Sequence, residues 1–433
     1  MKTIGLAILM LSLAFHAMGL EKSGVISTDE TWRGVVNVTG DIATSAGADI
    51  TVVAGTRIAF DGDYNIKINT NSILSIEGTS GAPVIVDAGQ HLGGIHVKGG
   101  RGVIRYVRFR NIGLGGSFVQ MLPPLLQLED SVLVGGSVST YHGEIVFRRN
   151  LIKGAARNNF VGDHSKAEIT DNIFVGGTWV TKSLGGVVSG NVFVSEPVPP
   201  GAKQDDYTHE HVLGIKPAAR IERNILVGRS HAALMSIGVD NADGAVIRNN
   251  TIDMRGTGAG LMFHMADPRP QGVVFRNNII LNGDGVVDEQ KTPGAVAYAD
   301  YNLLVNEGVD YKGVVMLDRQ PGDDGFGKHD IRAKPGSVIK QEGVGYPFPF
   351  SDEDLFSGRE SVASVMAFYR HAYQLRDGSP AIDSGAPADG SDPAVNDGHV
   401  DIGAIEFTKA PRESAARPEK PRELSVNAGA YSE

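Results

Sequence analysis

Apolar and polar positions along the middle of the chain repeat one phrase. Ile169-Thr-Asp-Asn172-Ile-Phe-Val-Gly176 sets its form: one apolar residue, two polar, Asn, then an apolar run. Phe147-Arg-Arg-Asn150-Leu-Ile-Lys-Gly154 and Ile221-Glu-Arg-Asn224-Ile-Leu-Val-Gly228 repeat it, as do Ile247 to Ile252 and Phe275 to Ile280. Val188 to Asn191 and Ala299 to Asn302 fit as well. The column Asn150, Asn172, Asn191, Asn224, Asn250, Asn278 and Asn302 therefore has spacings of 22, 19, 33, 26, 28 and 24 residues. Short strand-like pieces at such a period predict a solenoid of three-strand coils. Asn tolerates the left-handed backbone region, which suits a sharp bend between strands. Stacked at about 4.8 Å per coil, its amide can donate to one neighbour and accept from the next. The column is thus expected to fix register, with the flanking Ile, Phe, Leu and Val filling the bore.

The phrase weakens toward both ends. Ile104-Arg-Tyr-Val107-Arg-Phe109 and Leu128-Glu-Asp-Ser131-Val-Leu-Val-Gly135 keep it, with Val107 and Ser131 at the Asn position. Residues 20–100 read as N-terminal capping strands and first coils, because an open solenoid end exposes unpaired strand edges. Residues 101–305 read as regular coils and 306–407 as C-terminal coils and an irregular closing segment. One helix is expected there, Asp352 to Tyr373, with Phe356, Val362, Val365, Met366 and Tyr369 at helical spacing. Residues 408–433 lack periodicity and are expected to be disordered. Residues 1–19, with Lys2, an apolar run from Ile4 to Phe15, then Ala17 and Gly19, have the form of a signal peptide. The expected location is secreted, periplasmic or extracellular, with no membrane span after cleavage.

Composition narrows the picture. With 56 Gly, 7% aromatic and 21% charged residues, the chain suits many short strands and turns rather than a helical bundle. There is no Cys, so stability must come from a large core. A net charge of -10 excludes a general nucleic-acid binder, and a polyanionic glycan would need a locally basic cleft. A monomer is expected.

Val246-Ile-Arg-Asn-Asn-Thr-Ile252, Phe275-Arg-Asn-Asn-Ile-Ile280 and Asp300-Tyr-Asn-Leu303 resemble the repeats of secreted bacterial right-handed parallel β-helix proteins, the pectate-lyase-like superfamily. Gly378-Ser-Pro-Ala-Ile-Asp383 and Asp401-Ile-Gly-Ala404 resemble the closing segment common to that group. The resemblance spans nearly the whole mature chain. It implies an all-β, right-handed parallel β-helix and a polysaccharide partner lying along one sheet in a groove walled by longer turns. The same fold serves lyases, hydrolases, epimerases and non-catalytic surface proteins, so activity must be read from a site.

The widest interval, Asn191 to Asn224, carries Asp205-Asp-Tyr-Thr-His-Glu-His211 and then Lys216. A lyase needs a base for the proton α to a uronate carboxylate and a group that neutralises that carboxylate. His209, His211, Tyr207 or Lys216 are the candidate bases. Asp205, Asp206 and Glu210 are candidate ligands for Ca²⁺, an oxygen-seeking ion. Glu210 through Lys216, followed by Ile221-Glu-Arg-Asn224, is similar to the strand of chondroitinase-B-like and alginate lyases that bears a calcium-site Glu and a catalytic Lys. That family's catalytic Arg on the next coil is missing here, where the chain reads Leu234-Met-Ser-Ile-Gly238, and Pro217 follows Lys216. Trp179, Lys182, Arg229, His231 and His264 are candidate glycan contacts from neighbouring coils. Each has a plainer reading, with Trp179 as wall packing and His231 and His264 as strand-face residues. Asp205 and Asp206 also resemble the paired Asp of polygalacturonases, but that family's later Gly-His-Gly and Arg-x-Lys elements are absent. The expectation is a polysaccharide lyase, with a glycan-binding or adhesion rod as alternative and a hydrolase or epimerase behind both.

Overall fold

The computed structural model describes residues 19–117, 125–141, 143–154, 159–163, 167–176, 178–180, 186–195, 211–214, 219–228, 232–237, 243–254, 259–264, 271–283, 285–288, 294–305, 327–387 and 400–407. The signal-peptide reading and the reading of the tail after 407 concern residues outside these.

Each regular coil has three strands. Glu144–Arg148 turns through two residues into Leu151–Gly154, and Asn159–Asp163 completes the coil before Ala167–Thr170 begins the next. Each strand pairs in parallel with its equivalent one coil on. Sheet I is a run of twelve strands from Glu30–Trp32 to Val296–Asp300. Sheet II starts in the first half of Val35–Thr44 and ends at Ile331–Ala333. Sheet III starts in the second half of the same strand, takes in Asn65–Ile68 and Gly93–Lys98, and ends at Gly285–Asp288. The fold is an all-β, right-handed parallel β-helix, the hand that parallel crossovers favour. Twelve coils at about 4.8 Å give a rod about 50 Å long. Leu20–Ile26 lies across its N-terminal end, paired along Val35–Thr44.

The Asn column holds register, but it does not make the bend. The left-handed residue is the one before it: Arg149, Asp171, Gly190, Arg223, Asn249, Asn277 and Tyr301 all have φ between 52° and 70°. Bending one residue early leaves the N–H of each Asn free to reach along the rod. Asn172 N and Nδ2 both donate to Asn191 Oδ1, at 2.8 and 3.0 Å, and Asn191 does the same to Asn224 at 3.0 Å. Upstream, Ser131 N donates to Asn150 Oδ1, and Ser131 Oγ accepts from Val107 N. Downstream, Asn302 N donates to Asp330 Oδ1 at 2.7 Å, so a carboxylate ends the ladder.

The apolar run after each Asn does not all enter the bore. Only its middle residue does, as with Phe174, Phe193, Leu226, Ile252 and Ile280. Phe174 and Phe193 stack there with centroids 5.1 Å apart. The flanking Ile173, Val175, Val192, Val194, Ile225 and Val227 face outward and are still buried, in a second core. Residues 334–387 and 400–407 cover them as a strap along the outside of sheet II. It runs back from the last coil, tied by Gly343 N to Asp253 Oδ2 at 3.0 Å and by Arg110 Nη2 to Glu353 at 3.0 Å. It then returns, with Arg370 Nη2 on Asp171 at 2.6 Å and Tyr373 Oη on Asp253 at 3.0 Å.

The strap carries two helices where sequence periodicity predicts one: α1, Asp352–Ser357, and α2, Val362–Ala372. Gly358, at φ 80°, ends α1 and leaves room for Arg108 Nη1 to donate to Ser357 O at 2.7 Å. Ser361 then restarts the chain as N-cap with a reciprocal Ser364 capping box. The Asp383 and Asp401 motif closes the strap. Asp401 accepts from Asp383 N at 2.8 Å, and Ile402 N donates to Ala381 O at 3.0 Å.

Candidate functional site

The three corners of the coil differ in length. From Leu125–Glu129 onward, the corner from sheet I to sheet II always takes two residues, such as 149–150, 171–172 and 223–224. The corners on either side of sheet III vary. Residues 195–210 separate Val192–Val194 from His211–Gly214, 238–245 separate Ala232–Ile237 from Val246–Arg248, and 265–272 separate Ala259–His264 from Val273–Arg276. The long insertion of the 191–224 coil therefore enters at the border of sheet III.

Three candidate positions fall in described strands, and all three are on sheet III. Trp179 is in Thr178–Val180, His211 in His211–Gly214 and His264 in Ala259–His264. Trp179 pairs in register with Phe160 and Gly214, Gly214 with Met235, and Met235 with Met262. His264 lies two residues beyond Met262, on the same strand parity. His211 lies two before Leu213, whose register row through Leu234 reaches the buried Leu261. It therefore has the parity of the core row, opposite to that of Trp179 and His264. Lys182, Asp205, Asp206, Tyr207, His209, Glu210, Lys216, Arg229 and His231 lie outside the described residues. Among the described residues no three His, Asp or Glu converge to hold a metal ion.

The other two sheet faces are less suited to a ligand. Sheet II is covered by the strap. Sheet I neutralises its own charges across two neighbouring register rows: Arg148 reaches Glu168 at 2.8 Å and Glu129 at 3.4 Å, and Glu222 holds Arg220 at 3.0 Å and Arg248 at 2.9 Å. A cleft of about 580 Å³ follows the seam between α2 and the corner residues. Its charges are also paired, Arg149 with Asp130 at 2.7 Å and Arg370 with Asp171.

Sheet III also carries a polar group that sequence reasoning passed over. Asp41 Oδ1 accepts from Asn65 N at 2.9 Å, and Asn65 Oδ1 lies 3.1 Å from His96 Nε2. With that oxygen as acceptor, the ring donates from Nε2 and keeps its lone pair on Nδ1. Nδ1 hangs over Gly115, where an added Cβ would lie 2.6 Å from it. Burial, then Lys98 and Lys67, lowers the His96 pKa, so the neutral ring is favoured. The backbone hydrogen bond from Asn65 lowers that of Asp41, keeping it charged. Lys67, His96, Gly115, Ser139, Phe160 and Trp179 form one register row. A signal was present in Gly94-Ile-His-Val-Lys98 beside Ile112-Gly-Leu-Gly-Gly116, a polar strand facing one with no side chains on the same parity.

No family model matches the chain, and no curated protein matches it. Among solved structures, a mutant of the periplasmic alginate epimerase AlgG is 11% identical, with a TM-score of 0.36 over 63% of this chain and 62% of its own. This chain thus spans less than two thirds of that protein. Pectate lyase Pel9A is 13% identical, with a TM-score of 0.31 over 82% and 88%. The PL6 family alginate lyase AlyGC is 12% identical, with a TM-score of 0.29 over 74% and 51%.

Proposed function

We propose that the chain is a polysaccharide lyase that binds a uronic-acid-containing glycan across sheet III and cleaves it by β-elimination. One observation supports this above the rest: the long intervals border sheet III, and the described candidates Trp179, His211 and His264 all fall on its strands. In the reaction a base takes the proton α to the uronate carboxylate, and the released electrons form the ring double bond. The glycosidic C–O bond on the neighbouring carbon breaks, and the leaving oxygen takes a proton. His209, Tyr207 and Lys216 are the proposed bases, with His211 set aside for its core-row parity, and Asp205, Asp206 and Glu210 are the proposed Ca²⁺ site. Trp179, Lys182, Arg229, His231 and His264 are the proposed glycan contacts. Incubation with pectate, alginate and glycosaminoglycans, with and without Ca²⁺, should yield unsaturated product seen by ultraviolet absorbance. No product from any of them under either condition contradicts the lyase reading.

A second reading, a non-catalytic glycan-binding rod, is favoured by the strand Ala232–Ile237. It carries no Arg where the similar lyases have their catalytic one. Tight binding of an acidic glycan without any product would select it.

A further inference from the structure

A chain of net charge -10 repels a polyanion unless cations are gathered locally. Sheet III gathers them at its N-terminal end. Lys67 and Lys98 are half-buried, both act electrostatically on His96, and neither has an ion pair among the described residues. Asp41, beside this patch, accepts from Asn65 and also interacts electrostatically with Lys67. One coil further on, Gly113 and Gly115 leave a bare floor, followed by Ser137 and Ser139 in register. The Asp41–Asn65–His96 chain fixes the imidazole with an acceptor nitrogen toward that floor.

We propose that Lys67, His96 and Lys98 form a subsite for a carboxylated sugar unit, the ammonium groups taking the carboxylate and His96 Nδ1 accepting from a sugar hydroxyl. The inference rests on the glycan reading of sheet III and adds where the chain's anionic end binds. Trp179 lies four strand spacings from His96 in the same register row, about 19 Å at 4.8 Å each. A glycan of about five or six units would therefore reach from one to the other.

The test is calorimetric titration of the full-length protein with hexagalacturonate and hexamannuronate, with maltohexaose as the neutral control. The Lys67→Gln/Lys98→Gln variant should bind the acidic hexamer at least tenfold more weakly and with a smaller salt dependence. The Gly115→Ala variant, which displaces the ring, should weaken it severalfold. Unchanged thermal unfolding of the lysine variant separates these effects from misfolding. Wild-type affinity in that variant, with product still formed, overturns the subsite and leaves the lyase reading standing. Lysine-dependent binding without product supports the subsite, and it overturns the lyase reading when pectate, alginate and glycosaminoglycans also stay uncleaved. No binding of either acidic hexamer by the wild type overturns the subsite.

Discussion

Asn224 joins three coils. It is fully buried, its Nδ2 donates to Val188 O at 2.9 Å and Asn250 Oδ1 at 3.0 Å, and its Oδ1 receives both donors of Asn191. Asn224→Ala leaves the Asn191 N–H without that acceptor in a dry interior, so the expected loss is about 3 kcal/mol, read as a lower denaturation midpoint. Asp330 ends the same ladder under different rules. Burial, with Asp300 nearby, raises its pKa to about 7, against the lesser pull of Asn302 and His329. The native state therefore holds this proton more tightly than the unfolded chain. Its contribution is fully present only below the ordinary carboxyl value of 3.8 and is lost as pH rises from there through about 7. Asp330→Asn keeps the acceptor without the charge, so at pH 8 it should be more stable than wild type and at pH 4 nearly equal. Urea unfolding at both pH values checks this. The column itself is legible in sequence, because identical side chains at a readable period announce register. The left-handed residue is not, because Arg149, Asp171, Arg223 and Tyr301 share no chemistry; what they share is a place before the Asn.

The strap is the element that the sequence announces indirectly. Strands such as Ile173–Val175, Ile225–Val227 and Ile279–Leu281 are apolar on both parities, as strands covered on both faces must be. Such runs call for a covering layer, and the residues after 333 supply it. The predicted helix from 352 to 373 was legible as amphipathic, whereas its break rests on Gly358 and the Ser361 cap, short signals within a continuous apolar pattern. Asp253 ties the strap down, since Gly343 N and Tyr373 Oη both donate to it. Tyr373→Phe removes one donor from a buried carboxylate, with an expected cost of about 1.5 kcal/mol by chemical denaturation. The rods of sheets I and III should keep their β-structure in that variant by far-ultraviolet circular dichroism, since the bore is untouched.

For the whole molecule, three faces have three fates: sheet II lies under the strap, sheet I is balanced by its own ion pairs, and sheet III is bordered by the long corners. The count of residues between Asn191 and Asn224 pointed to this border, because an insertion stretches an otherwise steady period. The His96 group is not legible in sequence, because its partners Asn65, Lys67 and Gly115 lie 19 to 31 residues away in coils without an Asn to count from. The charge balance adds a consequence. With -10 overall and cations gathered on sheet III, acidic-glycan binding should fall steeply between low and physiological salt, by titration at both. The most direct test of the account is a crystal structure with an acidic hexasaccharide bound. Sugar units should lie across successive strands of sheet III, between Asn65–Ile68 and Ala259–His264. A hexasaccharide on sheet I, or in the seam beside α2, would contradict it.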